Sequence, residues 1–225
     1  MSEAPDGRTA RRQASRERLL AAALALFAER GYSATSVDDV AERAGVSKGT
    51  VFYNFGSKQG LGIEVVQAAT HRIAAVAEAV RATHQGWDAL NALVLAMLHA
   101  FDADPDTCQV LFTELFRGER PWSAELPLAR ATLVVPVAAV VAEVHTERRA
   151  AGRTAAPPTD DHFEMVAVAI LGALVFSSLD RSTYRPGRTV EDVRSALMVT
   201  ISGLQPSRRR TGNSRHVLHE PAGKD

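Results

Sequence analysis

Lysine is scarce in this chain. Three occur among 26 basic residues, and two of them, Lys48 and Lys58, lie close together. Net charge is missing too, because 26 acidic residues balance the bases. Affinity for a nucleic acid would therefore have to come from a local basic face. Cys108 is the single cysteine, which excludes an internal disulfide and fits a reducing compartment. The N-terminus carries no apolar core of a secretion signal. Apolar runs such as Met165 to Phe176 fall short of the roughly 20 residues that span a bilayer. A soluble cytoplasmic protein without a membrane partner is expected. No G-x-S-x-G elbow, P-loop or dinucleotide fingerprint occurs, so no enzymatic activity and no cofactor are assigned. His216 and His219 have metal-like spacing with only Glu220 beside them. Asp160, Asp161, His162 and Glu164 cluster at a predicted helix start, where acids are favoured anyway. No metal site is assigned.

What is present centres on the stretch from Thr35 to Lys58. Ser36 with Asp39 three residues on is a capping box, which predicts a helix start. Val37, Val40 and Ala41 then fall on one face. Gly45 supplies a left-handed turn residue, and Ser47 can cap a second short helix, Lys48 to Asn54. Two short helices around a Gly-containing turn predict a helix-turn-helix, whose second helix enters the DNA major groove. Val51, Phe52 and Phe55 are expected to pack inward. The candidate DNA-contact residues are Thr35, Ser47, Lys48, Gly49, Thr50, Tyr53, Asn54 and Lys58. Gly49 would let the backbone approach closely, and Lys58 opens the next helix, where charge and free N–H groups can meet phosphate.

Phe27, Gly31-Tyr32, Thr35-Ser36-Val37, Ala41, Ala44-Gly45-Val46-Ser47, Gly49 to Phe55 and Ser57-Lys58 together resemble the motif of a TetR-type, tetracycline-repressor-like transcriptional regulator. Beyond that motif only the helical layout and the length agree. Asn54 stands where the family's typical histidine would be. The resemblance implies a repressor released from a palindromic operator on double-stranded DNA by a small-molecule effector, working as a homodimer.

The rest of the chain predicts helices throughout. The expected fold class is all-α: a three-helix N-terminal DNA-binding domain plus a C-terminal helical ligand-binding and dimerisation domain, about nine helices in total. Residues 1–56 form the first domain, with Met1 to Gln13 as a flexible basic arm and helix 1 from Ser15 to Arg30, ended by Gly31. Residues 57–204 form the second, and 205–225 are expected to be a disordered tail. The helix from Ser57 to Arg81 is expected to be the only segment shared by both halves, with Gly60 and Gly62 as its hinge. The valine-rich run Leu133 to Val141 has the look of a buried strand but is read as helix, because Ala139 to Ala151 continues in helical style, with Pro136 kinking or breaking it. Helix 8, Asp161 to Tyr184, is apolar nearly all round, which calls for burial on both sides. With helix 9, Val190 to Leu204, it is the expected homodimer interface. Trp87, Met97, Phe101, Cys108, Phe112, Phe116, Phe163 and Phe176 are either ordinary core or the lining of an effector cavity, because both share one composition. Two rival readings stay open: a helical ligand-binding or enzymatic bundle with a vestigial helix-turn-helix, and an architectural DNA binder without a ligand.

Overall fold

The computed structural model describes residues 7–115, 126–152 and 159–203. Among them are nine α-helices and no strand, so the fold is all-α. The helices are α1 (Gly7–Ala34), α2 (Val37–Ala44), α3 (Lys48–Phe55), α4 (Lys58–Arg81), α5 (Gly86–Ala103), α6 (Pro105–Leu115), α7 (Leu126–Ala150), α8 (Asp160–Tyr184) and α9 (Val190–Gly203).

The stretch expected to be a flexible arm is helical from Gly7 onward. α1 breaks at Gly31, where φ 80° and ψ 159° are open only to glycine. Local signals predict several other ends. Ser36 caps α2 with Asp39 as its reciprocal partner, and Thr189 caps α9 with Asp192 in the same way. The Asp104 carboxylate accepts from the Thr107 amide at 3.1 Å and starts α6.

α5 begins differently. Gln85 makes no side-chain cap. The Gly86 amide instead donates to Glu143 at 3.3 Å, and the Trp87 amide to Glu147 at 2.9 Å, both carboxylates coming from α7. Gly86 has φ 53°, and a Cβ there would overlap the Glu147 carboxylate.

α7 runs unbroken through Pro136. Leu133, Val134, Val137, Ala138, Val140 and Val144 are all buried, at helical and not at strand spacing. Packing on both sides of the proline outweighs its lost hydrogen bond. α7 and α8 are each long and apolar enough to cross a membrane by length and composition alone, which corrects the estimate made from the shorter apolar run. Here α7 packs on α4, α5 and α8.

Two hydrophobic cores result. The N-terminal one gathers Leu19, Phe27, Val40, Val51, Phe55 and Leu61, and the second gathers Ile73, Leu93, Met97, Phe101, Val137 and Leu174. Burying each such side chain stabilises by about 1.5–3 kcal/mol. α4 feeds both, through Leu61 and Val65 on one side and Ile73 and Ala77 on the other. It is not the only shared segment. α6 packs along α1 and places Val110 in the N-terminal core.

The glycines of α4 also differ from expectation. A Cβ on Gly60 would collide with the carbonyl oxygen of Phe55. Gly60 is thus required by the close approach of the end of α3, which favours packing over a hinge.

Candidate nucleic-acid interface and effector cavity

α2 and α3 are held at a fixed angle by their turn. Gly45 is left-handed at φ 65° and its amide donates to Glu42 at 3.1 Å, while the Val46 amide donates to Ala41 at 3.0 Å. The Ser36 hydroxyl and amide each donate to the Asp39 carboxylate at 2.7 Å, and the Arg30 guanidinium lies 3.1 Å from it. Chiefly through the Ser36 hydroxyl, these contacts hold Asp39 below its usual pKa. Ser47 caps α3 by accepting from the Thr50 amide at 3.3 Å.

Val51 and Phe55 anchor α3 in the N-terminal core. One turn of helical phase then turns Lys48, Gly49, Phe52 and Tyr53 outward. Phe52 is 43% exposed and Tyr53 is 73% exposed. Phe52 was expected inside; with Val51 and Phe55 inward, helical geometry leaves it no room there. Lys48 donates to Asp38 of α2 at 2.8 Å. Both partners are largely exposed, so a phosphate can compete for this ammonium at little cost. The Ser47 and Thr50 hydroxyls are 2.9 Å apart. Lys58 lies with its ammonium 4.3 Å from the Tyr32 ring centroid and donates to the Ser33 carbonyl at 3.4 Å.

Two expected contact residues face elsewhere. Thr35 is 1% exposed, and its hydroxyl donates to the Gly31 carbonyl at 2.9 Å, closing the end of α1. Asn54 is half-buried and donates its amide to the Thr50 carbonyl at 2.8 Å, while its Oδ1 is buried without a partner. A side chain bonded back to its own helix is not presented to a base edge. Arg12, expected in a flexible basic arm, stands on α1 instead. The Arg12 guanidinium stands 5.5 Å from the Tyr53 ring centroid, so a cation from α1 reaches the outer face of α3.

Residues 19–65 match the family model described as bacterial regulatory proteins, tetR family. Over those residues the helix-turn-helix unit is similar to the DNA-binding domains of that family. The HTH-type transcriptional activator FasR of Mycolicibacterium smegmatis is 32% identical over 119 residues, covering 52% of this chain and 54% of FasR. The HTH-type transcriptional repressor KstR2 of Rhodococcus jostii is 37% identical over 67 residues, 30% of this chain and 33% of KstR2. The chain thus aligns with about half of one of these relatives and a third of the other. Among solved structures, the transcriptional regulator FadR from Bacillus subtilis in complex with stearoyl-CoA superposes with a TM-score of 0.67. That likeness covers 83% of this chain and 98% of that one at 17% identity, and it is one of fold.

Behind the tetR-type domain lies a cavity of about 220 Å³. Its wall comes from five helices: Ile73 of α4, Phe101 of α5, Leu111 and Phe112 of α6, Arg130, Leu133 and Val134 of α7, and Val168, Leu171, Gly172 and Val175 of α8. Two of the expected lining residues are there, Phe101 and Phe112. Met97 and Cys108 are buried in the adjoining core and absent from the wall. Burial pushes the Cys108 thiol up to about 12. Trp87 packs near Arg148, 5.7 Å from ring to guanidinium, and Phe163 packs edge-on against His145 at 5.6 Å. Phe176 is 67% exposed and borders a groove between α8 and α9. Phe116 lies outside the described residues. Aromatic size was a poor guide because most of the wall is aliphatic. Arg130 and Gly172 had no sequence signal pointing to a cavity.

Proposed function

We propose that this chain is a homodimeric transcriptional regulator that holds a palindromic operator with α3 and is released by an apolar small molecule bound between α4 and α8. The observation that carries the reading is the outer face of α3. Lys48, Phe52 and Tyr53 stand out of a helix whose other side is anchored by Val51 and Phe55. A helix so mounted can offer cations to phosphates and an apolar ring to thymine methyl groups. We place the division between the two functional units at Gly56, with 57–203 serving effector and partner.

Dimerisation is assigned to α8 and α9. Met165, Ala169, Gly172, Ala173 and Phe176 form an exposed apolar stripe on α8 at helical spacing, and Ala196 and Val199 continue it on α9. Small residues flanked by two large apolar ones suit a second copy of the same helix pair. A single eight-residue recognition helix touches few bases, and a symmetric partner supplies the second half-site. Release by ligand, giving repression, is our reading of the sign; relatives carry both activator and repressor in their names. The stearoyl-CoA held by the B. subtilis FadR supports an apolar occupant. We assign the chain no catalytic role and a place in the cytoplasm beside its DNA.

A gel-shift selection with genomic fragments tests this reading. Retention of a discrete set of palindromic fragments against excess random DNA is expected. Equal retention of all fragments would leave an architectural binder, and no retention a helical bundle whose helix-turn-helix is unused.

A further inference from the structure

We infer that the ligand of the α4–α8 cavity is an anionic amphiphile, an apolar chain of medium length with a carboxylate or similar head, and that Arg130 holds the head. The inference rests on the cavity being the effector site. Among the described residues, Arg130 is the one polar group in its wall; the other ten side chains are aliphatic, aromatic or glycine. Apolar walls supply affinity, whereas the few polar groups of a pocket fix orientation and choose the ligand class. A ligand rich in hydroxyls or amides would leave them unsatisfied against this wall. A cationic head would meet the guanidinium. An anionic head is the complement that remains.

Arg130 is available for this task. Its Nη1 lies 3.5 Å from Glu164 of α8, with both side chains about half exposed. A long, single-contact surface pair of this kind contributes little, so exchanging Glu164 for a ligand head costs little. The guanidinium has five N–H donors in a planar fork. A carboxylate can take two of them side by side, which a single contact to Glu164 does not. The volume of about 220 Å³ lies just below the roughly 300–1,000 Å³ common for ligand pockets. It suits one medium chain and leaves any bulky headgroup outside, where Arg130 sits at the exposed rim.

Matched ten-carbon probes test the assignment: decanoate and decan-1-ol, titrated calorimetrically into the full chain below their aggregation limits. Decanoate should bind roughly ten-fold more tightly than decanol. Arg130→Met should remove that preference, and Arg130→Lys should keep most of it. Circular dichroism should show both variants folded, and the preference is read within each protein as the ratio of the two affinities. Equal binding of the two probes to the native chain, or an unchanged preference in Arg130→Met, overturns the head assignment and leaves the apolar cavity standing. No binding of either probe overturns the effector cavity itself, and the inference with it.

Discussion

Val110 and Leu111 are neighbours on α6 that belong to different cores: Val110 is buried in the N-terminal core, and Leu111 lines the cavity. A shift of α6 on filling the cavity therefore acts on the packing of α1 without passing through α4. Val110→Ala should cost about 2 kcal/mol in urea unfolding and weaken the linkage between decanoate and operator binding. Titrating each against the other measures that linkage from both directions. Coupling of native size in a folded Val110→Ala protein would return the relay to α4 alone.

Phe52→Ala should lower operator affinity by about 1–3 kcal/mol, with the loss confined to A·T positions under the helix. Binding to random DNA should change little. Asn54→Ala, by contrast, should affect operator and random DNA alike, because its amide is tied to Thr50. Half-site substitution series on both variants separate the two effects.

Gly60→Ala should destabilise the protein by about 1–3 kcal/mol, the cost of forcing a methyl group into a closed contact. The Phe55 carbonyl oxygen is backbone and can yield only by moving the end of α3. Thermal unfolding reads the effect, and a variant as stable as the native chain would restore the hinge.

Ala173→Arg tests the apolar stripe of α8 without touching the cavity wall. On an open surface the change is harmless. Across a homodimer it buries an unpaired charge, so sedimentation should give a folded monomer with reduced operator affinity. A native dimer in this variant would move the interface elsewhere.

The caps carry an acid-sensitive contribution. Asp39 and Asp192 both have lowered pKa values, chiefly through hydrogen bonds from the Ser36 and Thr189 hydroxyls. A depressed carboxylate stabilises the fold above its unfolded pKa, and that share is lost as pH falls through the folded value. Asp39→Asn should therefore flatten the loss of stability below about pH 4, as followed by the midpoint of unfolding across an acid series.

Legibility in the sequence followed the range of the interaction. The caps at Ser36 and Thr189 and the turn at Gly45 act within a few residues, and their signals predict the helix ends. Phe52 was misplaced because three apolar residues in an eight-residue helix outnumber the positions that can face one core. α1 begins early, with Ala10 as the one apolar residue of its first seven. Pro136 sits inside α7 because contacts from other helices decide its conformation. The cavity was least legible, since its largely aliphatic wall is assembled from five helices and Arg130, the one cation among the described residues of that wall, looks like any surface arginine.

The start of α5 has a consequence in time. Its first amides are capped by carboxylates on α7, Trp87 by a residue 60 positions further along. A ribosome adding about 5–20 residues per second needs roughly 3–12 s to deliver that residue. During this interval the first amides of α5 have water in place of their carboxylate partners, and residues 7–65 are already synthesised. The N-terminal core stays incomplete until Val110 of α6 follows, and the arrival of Glu147 then closes the start of α5.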